Sequence, residues 1–131
     1  MKKIISLVIV LTMVLAIAST AFAVTASYSG TASSNFNTTS KINASAGSTG
    51  LDNVYSANKS SWTSRIYSSL GQAQNNANTM TPNSGNVTQA LNSNAVGDCY
   101  LNVKNSGSGS LTIPSGSRPG STVANAYWGI Y

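Results

Sequence analysis

The sequence predicts an all-β protein, a small antiparallel β-sandwich or barrel that follows a cleaved N-terminal signal peptide. Three observations predict it. Several short runs alternate apolar and polar residues with a period of two, Thr, Trp, Ile and Tyr are frequent within them, and Gly/Ser/Asn clusters separate them. No fixed-period repeat is present, which argues against a solenoid.

The leader MKKIISLVIVLTMVLAIASTAFA opens with Lys2 and Lys3, continues through an apolar run from Ile4 to Ala18, and ends in the small-x-small site Ala21-Phe22-Ala23. Residues 1–23 therefore read as a secretory signal peptide. The apolar run is shorter than the roughly 20 residues that cross hydrocarbon. No cysteine marks a lipid-anchored product, and no second apolar run follows. The mature chain, 24–131, is expected to be a single β-rich domain, secreted or extracellular, with no membrane span after cleavage.

The first strand is expected at VTASYSGTA, where Val24, Ala26, Tyr28, Gly30 and Ala32 alternate with Thr25, Ser27, Ser29 and Thr31. In SWTSRIYSSL, Trp62, Ser64 and Ile66 share one face of a strand and Thr63, Arg65 and Tyr67 the other. Trp62, Ile66 and Leu70 are also four apart, a helical spacing, but the Thr, Trp, Ile and Tyr content favours the strand. A polar loop region is expected over about 71–97, and within it residues 84–96 fit a short helix or one more strand. In DCYLNVK, Cys99, Leu101 and Val103 face inward while Tyr100, Asn102 and Lys104 face outward. With a turn over residues 105–109, pairing Lys104 with Ser110 sets Val103 opposite Leu111 and Leu101 opposite Ile113, the register of an antiparallel hairpin. Pro114 ends that second strand and SGSRPGS is a loop. The final GSTVANAYWGIY alternates again, with Ala124, Ala126, Trp128 and Ile130 on one face, and Trp128 is expected to close the core.

Composition limits the chemistry. The whole chain carries +5 and contains no histidine. Beyond the leader the charged residues are Lys41, Lys59, Arg65, Lys104 and Arg118 against Asp52 and Asp98, a net +3 too sparse for nucleic acid, which is held through many phosphate contacts. A Ser-His-Asp triad is impossible without histidine, and a two-carboxylate glycosidase would have to use Asp52 and Asp98. One thiol and no imidazole leave no transition-metal site. No enzyme, no cofactor and no metal are expected. Cys99, on the apolar face of its strand, reads as a small buried hydrophobe, with an intermolecular disulfide as the alternative for an odd cysteine in an exported chain.

More than four in ten residues beyond the leader are Ser, Thr or Asn, a surface suited to hydrogen bonding with a polyhydroxylated partner or with copies of itself. Arg65, Tyr67, Tyr100, Asn102 and Lys104 form the candidate binding surface, where tyrosine rings stack on sugars and the polar groups bond their hydroxyls. The expectation is a non-enzymatic secreted bacterial protein acting at the cell envelope or in the extracellular matrix, through binding of cell-wall or extracellular polysaccharide or through self-association. A bacteriocin-like antimicrobial protein and a matrix or fibre subunit are the alternatives. Against the first of these, no basic amphipathic segment is present.

Overall fold

The structure, a computed structural model, describes residues 23–117, 120 and 125–131. The leader through Phe22, Arg118 and Pro119 of the SGSRPGS loop, and residues 121–124 at the start of the last predicted strand lie outside the described residues.

Among the described residues the chain forms strands and no helix. In chain order they are β1 (Val24–Ser27), β2 (Gly30–Ala32), β3 (Asn35–Asn37), β4 (Ile42–Ala44), β5 (Thr49–Val54), β6 (Trp62–Ser68), β7 (Asn78–Met80), β8 (Gly85–Ala90), β9 (Gly97–Lys104), β10 (Leu111–Ile113) and β11 (Ala126–Ile130). They form three antiparallel sheets. The first runs β1-β11-β5-β8 and the second pairs β10 with β2. The third runs β3-β9-β6-β7, with β4 on the β3 side of β9.

Alternation predicted the faces correctly. Trp62, Ser64 and Ile66 of β6, Cys99, Leu101 and Val103 of β9, and Trp128 of β11 are all buried. They share one apolar core with Val54, Met80, Leu111 and Ile113. The run from Val24 to Ala32 also keeps its period, but as two strands. β1 pairs with β11, then the chain crosses at Tyr28 and Ser29 so that β2 pairs with β10.

Two expectations are corrected, one about pairing and one about a loop. The hairpin of Lys104 with Ser110 does not form, because both edges of β9 are taken. On one side β6 pairs along it, Ile66 opposite Leu101. On the other, β3 and β4 pair with its two ends, and Thr38 fills the gap, donating its N–H to the Leu101 carbonyl at 2.9 Å and accepting the Leu101 N–H on Oγ1 at 3.0 Å. Asn105 then turns the chain away. Its N–H donates to Ser34 O at 2.7 Å and its amide to Ser33 O at 3.0 Å. Leu111 and Ile113 still reach the core, now from opposite Ala32 and Gly30.

The polar loop expected over about 71–97 instead holds β7, β8 and the first residue of β9, and residues 85–90 are strand rather than helix. Polar groups there do what apolar residues do elsewhere. Gln74 N–H donates to Ile66 O at 2.8 Å, and Asn75 Oδ1 accepts the Ile66 N–H at 2.9 Å, so a pair of buried amides continues the edge that β7 begins on β6. Asn83, with φ of 61°, and Gly85, with φ of 67°, take the left-handed conformation that turns β7 into β8.

Candidate functional site

The outer face of the third sheet gathers all five predicted residues. Because β6 and β9 are neighbours, their outward side chains fall into rows: Arg65 opposite Asn102, Tyr67 opposite Tyr100, and Thr63 opposite Lys104. On the other side of β9, Asn37 lies opposite Asn102 and Asn35 opposite Lys104. A strand-by-strand alternation thus becomes one continuous surface of amides, rings and two cations.

Each group is held. The Tyr67 and Tyr100 rings stack with centroids 5.8 Å apart and planes 12° from parallel. The Arg65 guanidinium carbon lies 5.8 Å from the Tyr67 centroid, a cation–π distance. Arg65 Nε donates to Asn75 O at 2.6 Å, which anchors the head of the side chain while its terminal amino groups retain their donors. Asn102 spends its amide hydrogens on β3, donating to Asn37 Oδ1 at 2.7 Å and to Asn35 Oδ1 at 3.4 Å. Its Oδ1 remains as an acceptor. A shallow cleft of about 300 Å³ lies among Thr63, Arg65, Tyr67, Asn102 and Lys104.

Asn35 and Asn37 were not singled out from sequence, although the alternation Asn-Phe-Asn carried the signal, with Phe36 turned to the core side. Asp98 lies on the same face of β9 and accepts a hydrogen bond from Asn43 Nδ2 at 3.3 Å. The other carboxylate is elsewhere. Asp52 is 1% exposed in β5 of the first sheet and accepts the Tyr28 hydroxyl at 2.7 Å. Burial pushes its pKa up to about 6, against the pull of the Tyr28 hydroxyl bonded to it. Cys99 is a free, buried thiol; burial raises its pKa and the neighbouring Asp98 adds to the rise. A raised thiol pKa is the reverse of nucleophilic activation.

Comparison with known protein families, with curated proteins and with solved structures gave no match for this chain.

Proposed function

We propose that the chain is a small exported β-sandwich without catalysis, acting at the bacterial envelope or in the extracellular matrix by binding a glycan-like polymer. The binding surface is the outer face of the β3-β9-β6-β7 sheet. The observation that carries this reading is the adjacency of β6 and β9, which unites Arg65, Tyr67, Tyr100, Asn102 and Lys104 on one face. An extended face with stacked rings and fixed amide donors and acceptors suits a chain of hydroxylated rings better than a small molecule, which prefers an enclosed pocket. Export rests on the leader. The separation of Asp52 and Asp98, one buried in the first sheet and one on the surface of the third, supports a role without acid–base chemistry.

The test is retention of purified 24–131 on washed cell wall and insoluble polysaccharides, against the Arg65→Ala/Tyr67→Ala variant. The variant is expected to lose retention about tenfold, the equivalent of some 1.4 kcal/mol, while still folding cooperatively, with a melting temperature lowered by the lost Arg65–Asn75 bond and Tyr67–Tyr100 stack. Equal retention of the two proteins refutes the assignment of the face.

A second reading, self-association, draws on β8. Thr49 exchanges both backbone hydrogen bonds with Tyr131, so the backbone of Thr49, Leu51 and Asn53 points toward β11. The alternate residues Gly50, Asp52 and Val54 then bond β8 through Gln89, Val87 and Gly85. The backbone of Asn86, Thr88 and Ala90 therefore points out of the sheet edge. Residues 66–97 contain no charged side chain, so this edge lacks the charges that commonly guard such strands.

A further inference from the structure

Arg65 and Lys104 are cations without an acidic partner. The sequence has two acidic side chains in all, Asp52 and Asp98. Asp52 is buried and bonded to Tyr28. Asp98 is six residues from Lys104 along β9, about 20 Å at the rise of a strand, and is engaged with Asn43. Since Arg65 sits opposite Asn102 and Lys104 opposite Thr63, the two cations are diagonal neighbours on adjacent strands, roughly 7–8 Å apart at their Cβ atoms. Two like charges at that spacing repel, and no acidic side chain beside them offsets the repulsion.

Between them lies the cleft of about 300 Å³, at the small end of ligand pockets. Its walls differ in chemistry. Arg65, anchored through Nε to Asn75 O and flanked by the Tyr67 ring, lines the cleft with its terminal amino groups still unspent. Lys104, exposed at the end of β9, supplies a mobile point charge. Thr63 and the Asn102 carbonyl oxygen provide a hydroxyl and an acceptor suited to ring hydroxyls, and Tyr67 contributes an apolar wall.

We infer that this cleft takes an anionic residue of a polyhydroxylated polymer, its negative group bridging Arg65 and Lys104 while the ring or polyol lies along Tyr67, Thr63 and Asn102. This rests on the polymer-binding reading above and names the subsite that selects among polymers. A carboxylate on a sugar ring and a phosphodiester between polyols present the same chemistry to Arg65, since guanidinium pairs with either oxyanion.

The test measures affinity of 24–131 for three soluble probes at low and raised salt: polygalacturonate, poly(glycerol phosphate) and neutral dextran. At least one anionic probe is expected to bind about tenfold more tightly than dextran, as two exposed ion pairs supply, and raised salt should erase the difference. Preference for polygalacturonate identifies the carboxylate source, and preference for poly(glycerol phosphate) the phosphate source. Arg65→Gln/Lys104→Gln should lose the preference while keeping whatever affinity the wild type has for dextran. Lys59→Gln, which removes a charge from the β5–β6 connection, should retain it. Equal, salt-insensitive binding of all three probes overturns the anionic subsite and leaves the polymer-binding face standing. An anionic preference lost equally in Lys59→Gln overturns it too, because net charge would then suffice. Absence of binding to these probes and to the insoluble polymers overturns both.

Discussion

Asp52 sits in the core with a tyrosine hydroxyl on one oxygen and no hydrogen-bond partner on the other. Five further buried side-chain atoms lack a partner among the described residues: Asn53 Oδ1, Trp62 Nε1, Ser64 Oγ, Gln89 Oε1 and Trp128 Nε1. Such groups are costly in a thin core. Burial raises the Tyr28 pKa as well, with Asp52 beside it adding to the rise, so Tyr28 stays the donor of the pair. The consequence for stability has a definite sign. With a folded pKa of about 6 against an ordinary 3.8, native Asp52 holds a proton that the unfolded chain has released. Its protonation therefore supports folding fully below pH 4, and that support fades as pH rises to about 6. Each unit is about 1.4 kcal/mol, so its contribution should fall by about 2–3 kcal/mol between pH 4 and pH 7. Asp52→Asn keeps an acceptor for Tyr28 and cannot ionise. Chemical denaturation across this range should show the wild type losing stability with rising pH and the variant holding nearly level. A parallel decline in both proteins would assign the pH dependence to other groups.

Single strands were legible in the sequence, and their partners were not. Face alternation depends on side chains two apart, so Trp62, Ser64 and Ile66, or Cys99, Leu101 and Val103, declare their inward side locally. Pairing depends on which edges remain open once every strand is present. The apolar match of Val103 with Leu111 was sound as a pattern and wrong as a contact, because β3, β4 and β6 occupy β9. The segment 71–97 failed for a different reason. Asn75 and Gln74 make strand-like bonds without β-branched or aromatic side chains, and β8 buries no residue fully. The candidate site followed the same division. Its five residues were readable as outward-facing, their union was not, and Asn35 and Asn37 entered only with β3. An element-level prediction comes from β1. A Cβ placed on Gly129 of β11 would lie 2.6 Å from the Val24 carbonyl oxygen and 2.8 Å from Thr25 Cγ2. The nearest obstacle is backbone, so β1 must move. Gly129→Ala should cost about 1–3 kcal/mol, and amides of β1 should exchange with solvent faster than those of β6, which the change does not touch. Uniform loss of protection across both strands would show that β1 is integral to the global fold rather than locally displaced.

At the scale of the molecule, charge divides the two large sheets. The outer face of the third carries Arg65, Lys104 and Asp98, whereas the sole charged side chain in the strands of the first is the buried Asp52. The first sheet's outer surface is instead a row of neutral bonds: Asn53 Nδ2 donates to Asn86 Oδ1 at 2.6 Å, and the Tyr127 hydroxyl donates to the same oxygen at 3.0 Å. That row ends at β8, whose outward backbone groups belong to Asn86, Thr88 and Ala90. Two copies related by a two-fold axis through Thr88 would pair Asn86 with Ala90 and Thr88 with Thr88, continuing the first sheet antiparallel across the contact. Such a dimer would present two polymer-binding faces, and avidity along one polymer would then exceed the affinity of either. Thr88→Lys is the test, since Thr88 is exposed and the change sets two lysines opposite each other at the axis. Sedimentation of the wild type is expected to show a concentration-dependent dimer that Thr88→Lys abolishes. Soluble-polymer affinity per chain should be unaltered in the variant, and retention on insoluble polymer should drop. A wild type that stays monomeric throughout refutes β8 as a self-pairing edge. A dimer that persists in the variant moves the contact to another surface.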